Sequence, residues 1–69
     1  MRWIFQFWVL DLRGRLVTMF QDELSAETYI RRKAEQLEYL LLKNTYNGYT
    51  YKYDPSSAEF ELVSKRPKL

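Results

Sequence analysis

Neither cysteine nor histidine occurs anywhere in this 69-residue sequence. No disulfide can staple the fold, and a Cys-based zinc site is excluded. The commonest metal ligand and general base is missing too, and with it the Ser-His and Cys-His nucleophile pairs. A chain this short buries only about 60% of the surface that its unfolded form exposes. Packing must therefore supply the stability, helped by association with another chain where one core falls short. Aromatic residues make up 17% of the sequence. They suit that need, because each buried ring removes about 150–250 Å² from water.

Hydrophobic periodicity divides the chain into two hairpins and one helix. Residues 2–10, RWIFQFWVL, are aromatic and branched, which predicts a strand rather than a signal peptide. Asp11 and Gly14 in DLRGR fit a type I turn closed by a left-handed glycine. A second strand then spans 15–21. With Asp11 opposite Arg15, the register pairs Val9 with Val17 and Phe7 with Met19. One face would carry Trp3, Phe5, Phe7, Val9, Val17 and Met19. The other would carry Ile4, Gln6, Trp8, Leu10, Leu16, Thr18 and Phe20.

Ser25 is the expected helix N-cap, with Leu24 stapled onto Tyr29. Ala26, Ile30, Ala34, Leu37 and Leu41 recur at helical spacing and predict the buried stripe. The helix is expected to stop near Lys43 and Asn44, or to run one turn further to a left-handed cap at Gly48. A third strand over 46–53 and a fourth over 59–64 flank the turn at Asp54 and Pro55. Their register sets Tyr53 opposite Phe60, Tyr51 opposite Leu62, Lys52 opposite Glu61 and Asp54 opposite Glu59. The expected fold is α+β: a ββαββ order, with an antiparallel sheet and the helix on one face. Residues 1–64 form the single expected domain, and 65–69 a basic C-terminal tail.

Four tyrosines in eight positions, Tyr46, Tyr49, Tyr51 and Tyr53, suggest a platform for stacked bases. The register turns Tyr51 and Tyr53 inward instead, and Tyr46 is the one expected to stay exposed. Attention then moves to the other side of the first hairpin. Ile4, Trp8, Leu10, Leu16 and Phe20 would form an apolar face that a single helix cannot cover. Tryptophan is enriched among interface hot spots. A protein partner, a host protein or a second copy in a homodimer, is the first expectation.

The net charge of +2 is mild for a nucleic-acid binder. Arg13, Arg15, Arg31, Arg32, Lys65, Arg66 and Lys68 are the residues that would contact phosphates in that alternative. The Asp22–Glu23 pair is expected to cap or solvate the helix start rather than hold a metal. No phosphate-binding glycine loop, nucleophile elbow or other catalytic motif is present. The sequence therefore predicts no enzyme, no cofactor and no metal. No run of 18 apolar residues occurs, so no membrane span is expected, and with no cysteine a cytoplasmic setting is the default.

The arrangement resembles small phage-encoded proteins with a strand, a D-x-x-G turn, a strand, a DELSAETYIRRKAEQL-like helix and an NGYTYKYD strand. Residues 11–14, 25–37 and 47–54 carry that resemblance. It implies a non-catalytic protein that binds one host protein in the host cytoplasm and inhibits or redirects it by covering its surface. A structural homodimer or assembly component is the third expectation.

Overall fold

The computed structural model describes residues 6–64. The first hairpin joins β1 (Phe7–Leu10) to β2 (Leu16–Phe20). Asp11 organises its turn. One carboxylate oxygen accepts the backbone N–H groups of Arg13 and Arg15, each at 2.9 Å. The other accepts Nε of Arg15 at 3.0 Å. Gly14, at φ 89°, donates its N–H to the Asp11 carbonyl at 2.9 Å, as the sequence predicts.

Beyond the turn the register departs from expectation. Leu10 lies opposite Leu16, but Val9 faces Thr18, Trp8 faces Met19 and Phe7 faces Phe20. Val17 is the extra residue of a β-bulge. The insertion exchanges the two faces of β2. Val17 and Met19, expected in the core, are 45% and 40% exposed, and Phe20 packs against the core instead.

Helix α1 (Glu23–Glu35) begins three residues before the expected start. Asp22, not Ser25, is the N-cap. Its carboxylate accepts the Ser25 N–H at 2.8 Å and the Ser25 hydroxyl at 3.0 Å. A carboxylate can fill this role better than a hydroxyl, because it also meets the positive end of the helix. Leu24 is exposed and forms no staple, and Tyr29 packs on Phe20 with ring centroids 5.6 Å apart. Ala26, Ile30 and Ala34 are buried, as their spacing predicts.

The helix stops well short of Lys43. Gln36 is its C-cap, and Leu37 turns left-handed at φ 64°. The Leu37 N–H donates to the Ala34 carbonyl at 3.0 Å, and the Glu38 N–H to the Lys33 carbonyl at 2.9 Å. This is the Schellman pattern of helix termination. Leu37 therefore leaves the buried stripe and is 75% exposed, while Leu40 is buried.

The residues released from the helix form a strand that the four-strand reading lacks, β3 (Leu41–Asn44). A tight turn at 45–48 leads to β4 (Tyr49–Asp54), and a second turn leads to β5 (Glu59–Ser64). Gly48, at φ 82°, belongs to the first of these turns rather than to a helix cap. Among the described residues the sheet has five strands, all paired antiparallel, in the order β2-β1-β3-β4-β5. Thus β3 joins the two expected hairpins within one chain, pairing Leu42 with Val9 on one side and Tyr51 on the other. The β4–β5 register agrees with the sequence-based pairing at all four expected positions.

The core lies between α1 and one face of the sheet. Val9, Ile30 and Leu42 are its largest fully buried side chains, with Ala26, Ala34, Leu40 and Tyr53 around them. Phe7, Phe20, Tyr29, Tyr51 and Phe60 close its rim. The expected core residue Phe5 and the expected strand start at 2–5 lie outside the described residues, as does the tail 65–69.

Two predictions follow from these turns and caps. Leu37→Gly should raise stability by up to about 1 kcal/mol in urea denaturation, because it relieves a left-handed residue whose side chain is mostly exposed. A helix continuing to Lys43 would be weakened by the same change. The second prediction concerns acid. Backbone hydrogen bonding from Arg15 holds the Asp11 carboxyl below its ordinary 3.8, aided by the Arg15 side chain and the Arg13 N–H. The Ser56 hydroxyl and N–H do the same for Asp54. Both folded-state pKa values are lowered, so their contribution is present above the unfolded pKa and is lost as pH falls through the folded one. Wild type and the double variant Asp11→Asn, Asp54→Asn should therefore converge in stability between about pH 5 and about pH 2. A constant difference over that range in thermal melts would contradict it.

Candidate interaction surface

Among the described residues, α1 is the only layer packed on the sheet, and it covers one face. Register places the side chains of the opposite, back face in two rows. Met19, Trp8, Lys43, Thr50 and Ser64 form one, from β2 to β5. Leu16, Leu10, Leu41, Lys52 and Glu61 form the other. The face is thus apolar over β2, β1 and the Leu41 end of β3, and becomes polar and charged from Lys43 across β4 and β5.

The apolar part has a built centre and an open margin. Leu10 is buried, with Trp8 and Leu41 half-buried, while Leu16 and Met19 are 50% and 40% exposed. Lys43 brings its ammonium to 6.0 Å from the Trp8 ring centroid, within cation–π range. The lysine stem can lie along the apolar surface while its charge stays in water. Lys52 and Glu61 lie opposite each other on the charged side. Beside them, Tyr39, Lys52, Tyr53, Asp54, Pro55 and Glu61 line an open depression of about 320 Å³.

Of the five residues expected on this face, the structure brings together Trp8, Leu10 and Leu16. Phe20 is a correction: the bulge at Val17 turns it to the helix side, against Tyr29. Ile4 lies outside the described residues. Met19 and Leu41 were missed. Met19 reaches the back face through the bulge, and Leu41 through the early end of α1. Neither event has a sequence marker such as a glycine.

The basic residues occupy separate elements. Arg13 and Arg15 sit at the first turn, where Arg15 pairs with Asp11 at 3.0 Å. Arg31 lies 5.2 Å from the Phe60 ring centroid and 5.8 Å from that of Tyr53, and pairs with Glu27 at 3.6 Å. Lys33 pairs with Glu38 at 3.6 Å and lies over Tyr29. Arg32 is exposed on the helix. Lys65, Arg66 and Lys68 lie outside the described residues.

The tyrosine ladder is mostly committed to packing. Tyr53 is buried against Phe60 with ring centroids 5.0 Å apart, and Tyr51 packs on the core. Tyr46 stands 82% exposed at the tip of the β3–β4 turn. Among the described residues, no group of three or more acidic side chains is placed to hold a metal ion, and no helix is long and apolar enough to cross a membrane. No protein-family model, curated protein or solved structure matches the chain.

Proposed function

We propose that this chain is a small protein-binding module that covers a surface of its partner with the back of its first hairpin. One observation carries the reading: Leu16 and Met19 stand about half exposed beside Trp8, Leu10 and Leu41, on the sheet face that α1 does not reach. Exposed apolar side chains gathered around an aromatic are the usual composition of a docking surface. The Lys43 ammonium beside Trp8 adds a charged margin, so an apolar patch rimmed by carboxylates is the partner chemistry that fits. The likeness to small phage-encoded proteins suggests a host protein as that partner, inhibited or redirected by occlusion in the host cytoplasm. A phosphate-binding role is less favoured, because Arg15, Arg31 and Lys33 already have acidic neighbours.

Affinity capture from host lysate with wild-type and Leu16→Asp baits, read by mass spectrometry, identifies the partner. It is the protein recovered by the first bait and lost with the second. Titration calorimetry then measures Trp8→Ala, which should weaken binding by about 2 kcal/mol, or about 30-fold, with the fold retained. Arg32→Ala, on the exposed side of the helix, should bind like wild type. Recovery of the same proteins by both baits, or unchanged affinity in Trp8→Ala, would exclude this face. Binding of short oligonucleotides at low salt, lost as salt rises, would favour the phosphate reading instead.

A further inference from the structure

The two outer strands of the described sheet are protected very differently. β5 carries exposed carboxylates at Glu59 and Glu61. β2, LVTMF, has no charge and no proline, and its Leu16, Val17 and Met19 are 50%, 45% and 40% exposed. An edge strand presents unpaired backbone N–H and C=O groups, and charges, prolines or bulges normally discourage pairing there. On β2 the bulge at Val17 is the only such device.

The flanks of β2 carry opposite charge. Arg13 and Arg15 precede it, with Asp11 neutralising one of them, and Asp22 and Glu23 follow it. The Arg15 side chain remains 72% exposed despite its pairing with Asp11. Asp22 caps α1 by accepting the Ser25 N–H and hydroxyl. Beside an antiparallel copy of itself, the basic end of β2 meets the acidic end of the other strand, twice over. Beside a parallel copy, like would meet like. This strand is therefore complementary to itself in one direction only.

We propose that β2 pairs antiparallel with β2 of a second copy, joining two five-stranded sheets into one of ten strands. The interface is isologous. Antiparallel neighbours in one sheet are related by a two-fold axis perpendicular to it. Both copies of α1 then lie on the same side, and the two back faces become one surface with Leu16 and Met19 of each copy near its centre. The contact uses the edge of β2 rather than the back face. It therefore stands whether or not that face binds a foreign protein.

Equilibrium sedimentation of the full chain alone, up to about 300 μM, tests the proposal. Wild type should approach twice the chain mass. Val17→Lys should raise the dissociation constant at least about tenfold, with the far-ultraviolet circular dichroism of wild type. Arg13→Glu should weaken the dimer, and adding Glu23→Arg should restore it to within about threefold. Amide exchange in β2 of wild type should slow as concentration rises, which serves as the readout should a variant unfold. A wild-type monomer at the highest concentration overturns the proposal. So does a dimer that neither Val17→Lys nor Arg13→Glu weakens, which would place the contact elsewhere, or β2 exchange that is independent of concentration.

Discussion

The left-handed turn at Leu37 is the constraint on which the rest of the fold depends. It ends α1 at Gln36 and hands Leu41–Asn44 to the sheet as β3. Without that strand the two outer hairpins would share no hydrogen bonds, and Val9 would have no neighbour at Leu42. A non-glycine residue at positive φ costs about 1–2 kcal/mol. The central strand, with Leu42 buried between Val9 and Tyr51, offsets that cost many times over in hydrogen bonds and apolar contact.

Where local chemistry and tertiary need agree, the sequence is legible. Asp11 and Gly14 announce the first turn, and Asp54 and Pro55 the last. Alternation fixes the pairing of Tyr51–Asp54 with Glu59–Leu62, because Tyr51, Tyr53 and Phe60 pack on the core from both strands, while Leu62 at the end of the set stays 43% exposed. Ala26, Ile30 and Ala34 identify the buried side of the helix. The misreadings at the end of α1 and within β2 have a shared cause. In the run through Leu37, Leu40, Leu41 and Leu42, apolar residues fit helical spacing and strand alternation equally well. In LVTMF both faces of the strand are nearly as apolar, so a one-residue bulge leaves no trace in the pattern.

Those two ambiguities also decide how much of the candidate surface could be read in advance. Trp8, Leu10 and Leu16 depend only on β1 and on the pair nearest the turn, upstream of the bulge, and they fall where the alternation puts them. Met19 and Phe20 lie beyond Val17 and trade places. Leu41 joins the surface because the helix stops. The surface is thus assembled from one legible strand and two elements whose placement depends on tertiary packing, with the Ile30 and Leu42 side chains on the far side holding the sheet in position.

The strand order carries a consequence for the way the chain assembles. β1–β2, β3–β4 and β4–β5 are each joined by short turns, so three of the four ladders close with little loss of chain freedom. The β1–β3 ladder alone spans all of β2 and α1. Nearly all the entropy of bringing distant segments together is concentrated at that one seam. Its closure is the slow, topology-limited event in such a sheet, and it is also the step that encloses α1. Without that ladder, no hydrogen-bonded strand pair links the β1–β2 hairpin to β3, β4 and β5.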